Sequence, residues 1–353
     1  MGGTRYSSTA YTAATETLKA TGATFAHSAK VASTGDYSDI SELLDPKKLK
    51  NGMRESCFAE GFEDATPMVV GIDCTGSMQD VPGQVRDSIP TLMDITIEKG
   101  LSDHPNVMFI GLDDEHYVTN AAFQISQFET GHDELLSALN DLVIPGRGGS
   151  NSGEAYHLFF YALANHTKLE CFDRDGEKGF AFLICDEQPY YDHHSPLKYG
   201  TTPDVAKDVF GDSIQAEVSM LDSLKKTAER YHVFILRPHH TSNGTNMGIS
   251  KKWQDLLSEA GINPQHVIEV EKTENLVSTM VLAMSRIKGA DTTEVVSVLK
   301  EKGVTGVDSI VESTKAIAPV MDSAVAVGSV SGELDTIDEE EESEVVASGR
   351  ERL

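Results

Sequence analysis

The 353-residue chain is short of cysteine, of basic residues and of long apolar runs. Each shortage excludes something. The four cysteines, Cys57, Cys74, Cys171 and Cys185, form no CxxC pair. Cys74 and Cys185 lie in or beside apolar runs, so buried free thiols in a reducing compartment fit better than a disulfide framework or a zinc site. Lys and Arg number 29 against 56 Asp and Glu, a formal net charge of -27. So negative a surface repels phosphate backbones and argues against a nucleic-acid partner. It suits a cation or a basic protein partner. No stretch approaches the ~20 apolar residues that span a bilayer. The opening MGGTRYSSTAYTAATETLKA also lacks the apolar core of a signal peptide. These features predict a cytoplasmic protein without a membrane partner.

What is present reads as a globular core between two polar ends. Hydrophobic residues make up 39% and charged residues 24% of the chain, enough for most of it to fold. Residues 1–65 are expected to be an N-terminal arm and lead-in segment. The first ~35 are rich in Ala, Thr, Ser and Gly and suit a flexible arm or a segment that orders on a partner. Residues 66–289 are the expected core domain. Residues 290–353 are expected to hold one or two small helices before the acidic run DTIDEEEESEVV, a solvated tail by composition.

Within the core, apolar runs alternate with helical patterns. MVVGI (68–72), VMFIGL (107–112), FAFLIC (180–185), VFIL (233–236) and VIEV (267–270) read as strands. The first four are apolar almost throughout, as in strands covered on both faces. FQISQF (123–128) is amphipathic and suits an edge. Val85, Ile89, Leu92 and Met93 share a helical face, with Pro90 expected to kink that helix. Ala155, Leu158, Phe159, Ala162 and Leu163 share another, as do Ile214, Val218, Leu221 and Leu224, and then Leu276, Met280, Ala283, Met284 and Ile287. This alternation predicts an α/β fold: a doubly wound, mostly parallel six-stranded sheet with helices on both faces and one antiparallel edge strand. Ligands in such sheets sit at the carboxyl ends of strands. The loops that matter therefore follow Ile72, Leu142, Cys185 and Leu236.

Directly after the first strand stands D-C-T-G-S-M, residues 73–78. Asp73, Thr75 and Ser77 are spaced by two, which in an extended turn can bring three oxygen groups to one place. A carboxylate and two hydroxyls form a hard oxygen set of the kind Mg²⁺ prefers, usually with water retained. The strand FLICDEQP ends in Asp186, the first polar residue past its apolar run, at the same rim. Between them, PGRGGSNSGEAYHLFF supplies a glycine-rich loop, where Ser150 or Ser152 could add a hydroxyl.

These three motifs together resemble the von Willebrand factor A (vWA) domain and its metal-ion-dependent adhesion site. The resemblance covers roughly residues 66–289. It departs from the usual motifs at three places. Thr75 stands where serine is usual, Ser150 where threonine is usual, and Glu187 follows Asp186 where glycine is usual. The strings VGIDCTGSM, SQFETG and FLICDEQPY are also similar to a group of bacterial and phage vWA proteins. The resemblance implies a divalent cation, Mg²⁺ with Mn²⁺ or Ca²⁺ as alternatives, held by Asp73, Thr75, Ser77, Ser150 and Asp186. It implies a protein–protein interaction module rather than an enzyme, an intracellular adaptor or scaffold in which the metal takes up an Asp or Glu of a partner. Many intracellular vWA proteins act beside AAA+ ATPases, which makes such a partner the expected class. The plainer reading is an empty site, where Asp73 caps the following helix and the hydroxyls satisfy loop amides.

Two alternative functions remain open from the residues alone. One is a structural component of a larger assembly, with the terminal segments making the contacts. The other is a metal-dependent enzyme using histidines of YYDHHSP (Asp192, His193, His194) and LRPHH (His239, His240) as bases or ligands. Two polar loops lining a binding face are the plainer account of those histidines. Asp113, Asp114 and Glu115 follow the second strand and either hold a cation or, on the plainer reading, face solvent. Other chemistries lack their residues. No GxxxxGK[ST] phosphate loop, dinucleotide fingerprint or GxSxG elbow is present. A phosphotransferase with an aspartyl nucleophile at Asp73 would need an acid where Thr75 stands.

Overall fold

The computed structural model describes residues 6–57, 65–114, 122–146, 154–191 and 193–319. Six segments form one sheet: β1 (Ala65–Asp73), β2 (His104–Leu112), β3 (Phe123–Ile125), β4 (Gly179–Ile184), β5 (Tyr231–Pro238) and β6 (Val267–Val270). Their spatial order is β6-β5-β4-β1-β2-β3. All neighbours are parallel except β2 and β3, which pair antiparallel with Ile110 opposite Ile125. This is an α/β, mostly parallel sheet with a Rossmann-like order. β1, β4 and the middle of β5 are buried along their whole length, which is why their sequences are nearly unbroken apolar runs.

Successive side chains of a strand point to opposite faces, and here they enter two separate apolar clusters. Met68, Val70 and Ile72 of β1 join Phe182 of β4 and Leu236 of β5 in one. Val69 of β1, Ala181 and Leu183 of β4 and Ile235 of β5 join the other. The helices, in chain order, are α1 (Ser8–Thr21), α2 (Ala26–Thr34), α3 (Val81–Glu98), α4 (His132–Asn140), α5 (Tyr156–Asn165), α6 (Glu170–Asp175), α7 (Pro203–Phe210), α8 (Met220–Arg230), α9 (Met247–Glu259), α10 (Leu276–Ile287), α11 (Thr292–Glu301) and α12 (Val307–Thr314). α3 and α10 contribute Val85, Ile89, Leu92, Met280 and Ala283 to the first cluster. α5, α8 and α9 contribute Leu158, Phe159, Leu224 and Trp253 to the second. Burying side chains of this size stabilises the fold by about 1.5–3 kcal/mol each. The approach is close. A Cβ on Gly71 of β1 would stand 2.5 Å from Cε2 of Phe159 on α5.

α3 carries Pro90 within its span, as the sequence reading placed it. Other elements differ from the sequence expectation. The face that began at Ile214 is not helical there. Ser219 caps α8, its hydroxyl accepting from the amide of Asp222 at 3.0 Å, so the helix starts at Met220 and Val218 lies in a two-residue strand with Gly200–Thr201. Where the composition suggested an arm, α1 and α2 lie against the core. Tyr11 and Val31 are buried, the Tyr11 hydroxyl donates to the Arg86 carbonyl, and the Phe25 ring sits 5.1 Å from the Arg86 guanidinium. α11 and α12 follow α10, and all the described residues belong to one compact unit. The acidic run lies outside the described residues.

Candidate functional site

The strand order reverses between β1 and β4. The chain winds from β1 outward to β2 and β3 on one side, and from β4 to β5 and β6 on the other. Where neighbouring strands send their connections in opposite directions, a crevice opens beyond their carboxyl ends. Asp73 is the last residue of β1, and Asp186 stands two residues past β4. Both are fully buried. The sequence-expected site thus begins at the place where the topology leaves room for a ligand.

Asp73 is held by three donors. Its Oδ1 accepts from the Thr75 amide at 2.9 Å and the Thr75 hydroxyl at 2.6 Å, and its Oδ2 accepts from the Tyr156 hydroxyl at 2.5 Å. Burial and the nearby charge of Asp186 push its pKa up to about 7, against the pull of those hydrogen bonds. Thr75 lies 3.4 Å, oxygen to oxygen, from the exposed hydroxyl of Ser77. Asp186 uses one oxygen only. Its Oδ2 accepts from the Thr241 hydroxyl at 2.7 Å, while Oδ1 is buried without a hydrogen-bond partner. Ser150 and Ser152 lie outside the described residues. The flanks of their loop are described. A Cβ on Gly146 would stand 3.5 Å from Oε1 of Gln79, just past the D-C-T-G-S-M turn, and Glu154 is buried beside Asp113.

The crevice holds more carboxylates than the sequence pattern suggested. Asp113 and Asp114 do not face solvent; both are fully buried, because β2 carries them in at its carboxyl end. Burial and the charges of Asp73 and Asp114 push Asp113 up to about 8, with the Asp114 amide opposing. Burial, then Asp73, Asp114 and Asp113, push Glu154 up to about 11. Glu187 is also raised, by burial and by Asp186. Glu115 lies outside the described residues. Among the described residues, no group of three or more His, Cys, Asp or Glu side chains is placed to hold a metal ion together. The expected adhesion-type set of two aspartates with hydroxyls is a smaller demand. Its hard oxygen donors, with an unpartnered buried oxygen on Asp186, fit a cation such as Mg²⁺.

The histidines are divided between two places. His240 contacts the Ser77 carbonyl at 2.9 Å through Nε2, which ties the loop after β5 to the D-C-T-G-S-M turn. His239 contacts Glu269 of β6 at 2.7 Å. His193 and His194 pack against each other and Tyr191 instead. Asp192 lies outside the described residues.

Four positions escaped the sequence reading. Tyr156 and Glu154 stand in the string GEAY just past the glycine-rich loop, and Thr241 follows the paired histidines. Arg237 interrupts the apolar run of β5. It is fully buried and donates to the carbonyls of Asp186 (3.0 Å), Asn243 and Gly244 (3.2 Å) and to the Ser250 hydroxyl (2.8 Å). A charged residue closing a buried strand was the one signal available for it.

No protein-family model matches this chain, and no curated protein matches it. Among solved structures, it is similar to the pilus adhesin SpaC from Lactobacillus rhamnosus GG in its open conformation. That likeness has 14% identity and a TM-score of 0.42 over 67% of this chain and 31% of the adhesin. It is also similar to proximal thread matrix protein 1 from the mussel byssus, with 10% identity and a TM-score of 0.38 over 63% of this chain and 48% of that protein. The chain spans less than half the length of either. With TM-scores below 0.5, neither likeness bears on the fold or the site.

Proposed function

We propose that the chain is a doubly wound vWA-like domain whose crevice binds a divalent cation, and that the cation takes a carboxylate from a protein partner. Mg²⁺ is the choice that the donors favour, with Mn²⁺ and Ca²⁺ as alternatives. Asp73, Thr75, Ser77, Ser150 and Asp186 are its ligands in this reading, some of them through water. The observation that carries it is the pair Asp73 and Asp186, two fully buried aspartates at adjacent strand ends on either side of the order reversal, with Oδ1 of Asp186 left without a donor. Two buried like charges destabilise each other, and a cation between them offsets that cost. The exposed Ser77 marks the side from which a partner's Asp or Glu would approach.

In this reading the protein is an intracellular, cytoplasmic adaptor or scaffold, not an enzyme. A AAA+ ATPase is the partner class that the family resemblance suggests. No helix among the described residues is long and apolar enough to cross a membrane.

The test is a pull-down from host lysate with the wild type and Asp73→Ala, each with Mg²⁺ and with chelator. A partner retained only by the wild type with metal supports metal-dependent adhesion. A partner retained in all four samples moves the binding surface elsewhere and ends this reading.

A further inference from the structure

On the far side of Asp73 from Asp186, the backbone binds two more acids together. The Asp113 amide donates to the Ala122 carbonyl at 3.0 Å, and the Asp113 carbonyl accepts from the Ala155 amide at 3.3 Å, so Glu154 is anchored one residue from that contact. The Tyr199 hydroxyl holds the Glu154 carbonyl at 3.2 Å. Asp113 Oδ1 accepts from the Asp114 amide at 2.6 Å, and the Tyr191 hydroxyl donates to Asp114 at 3.3 Å. These contacts hold the backbone at Asp113 and at Glu154 in place.

Asp113 is 0% and Glu154 4% exposed, and each keeps one oxygen, Oδ2 and Oε2 respectively, that is buried without a hydrogen-bond partner. A buried carboxylate oxygen with no donor costs several kcal/mol. A proton on either oxygen would remove the charge but leave a buried O–H with no acceptor, since neither oxygen has a hydrogen-bond partner. The Asp73–Asp186 site does not use them.

We propose that Asp113 and Glu154 hold a second hard divalent cation, Mg²⁺ in class, on the β2 side of the crevice, with water completing its shell. One or two carboxylates with several retained waters are what Mg²⁺ commonly accepts. The second site lies beside the first and stands or falls separately from it. A cation there would neutralise the charge next to Asp73 and fix the junction of β2 with the start of α5.

The test counts Mn²⁺, a paramagnetic substitute for Mg²⁺, bound to the full chain by equilibrium dialysis and electron paramagnetic resonance. The wild type is expected to bind two ions. Asp113→Asn combined with Glu154→Gln is expected to bind one, and Asp186→Asn is expected to bind one. All three substitutions together leave none. Both variants are near-isosteric and remove buried charge, and circular dichroism in chelator checks that each folds. If the Asp113/Glu154 variant keeps as many ions as the wild type, the second site is overturned while the first can stand. If Asp186→Asn keeps both ions while the other variant loses one, the first reading falls and the second site stands. A wild type that binds a single ion, lost in Asp186→Asn and kept in the Asp113/Glu154 variant, overturns the second site, whereas a single ion lost only in the Asp113/Glu154 variant leaves it standing and ends the first reading.

Discussion

The hydroxyl of Tyr156 donates to Oδ2 of Asp73 at 2.5 Å, from the first turn of α5 to the last residue of β1. This bond makes the orientation of the crevice's central acid depend on a helix that follows the glycine-rich loop. Tyr156→Phe keeps the ring against Trp253 and removes only the donor. Loss of such a partner behind a metal ligand typically weakens metal affinity about 10–100-fold. If Asp73 is a ligand of the proposed cation, calorimetric titration with Mg²⁺ should show that loss, together with a drop in stability of about 1–2 kcal/mol from the unpaired buried oxygen. Unchanged affinity would mean that Asp73 is positioned by Thr75 alone.

Much of this arrangement could be read from the sequence, for a definite reason. β1, β4 and β5 are covered on both faces, so their apolar runs are explicit, and Asp73 and Asp186 stand out as the first polar residues beyond them. β6 spans Val267–Val270, as the sequence suggested. What escaped notice depends on contacts between distant segments. Thr241 and Tyr156 have no local mark as partners of Asp186 and Asp73. α1 and α2 are rich in Ala, Thr and Ser, and their few apolar residues matter only through what they meet: α3 and α4 beneath α1, and Val143 beside Val31 of α2. The start of α8 is legible in the sequence. Ser219, with Asp222 three residues on, is a capping pattern, and it overrides the apolar spacing that seemed to extend back to Ile214.

Arg237 should be the most sensitive polar residue behind the site. It joins the Asp186 carbonyl to the turn at Asn243 and Gly244 and to Ser250 of α9, with Glu269 of β6 at 3.7 Å. Arg237→Met fills similar space but leaves these buried groups without a donor. Breaking a buried charged network this way costs about 3–5 kcal/mol. Urea denaturation should show it as a lowered midpoint with an unchanged slope. Arg237→Lys should recover only part of the loss, since an ammonium cannot span the same fork of acceptors.

His232 gives the fold an acid-sensitive point away from the crevice. It lies on β5 with its ring 5.2 Å from Phe180, and burial, then Lys178, His266 and Lys288, lower its pKa from 6.5 to about 4. The unfolded chain therefore binds more protons than the folded one between those values. Stability rises with pH across this window and is lost as pH falls from about 6.5 toward about 4. The ring is partly exposed, so solvent reduces the effect to on the order of 1–2 kcal/mol. His232→Gln should flatten the fall in denaturation midpoint between neutral and mildly acidic pH. An equal fall in wild type and variant would assign the acid sensitivity to other groups.

Removing residues 1–35 separates two accounts of the N-terminal segment. If it were an arm serving assembly, its deletion would abolish self-association and leave the core's stability alone. The packing argues otherwise. Tyr11 and Val31 are buried, Lys19 pairs with Asp87 at 3.1 Å, and Asn140 at the end of α4 accepts from the Phe25 amide at 2.7 Å. The Ser28 hydroxyl also brackets Ile144, accepting from its amide at 2.9 Å and donating to its carbonyl at 3.2 Å, two residues before Gly146 and the site loop. Deletion should therefore uncover the apolar faces of α3 and α4, lower the melting temperature by several degrees, and promote concentration-dependent association. If the crevice holds the proposed cation, deletion should also weaken Mg²⁺ binding, because Ile144 loses its clamp. Sedimentation velocity alongside thermal melts would distinguish the two: a stable monomer after deletion refutes the packing argument, and a destabilised, self-associating core supports it.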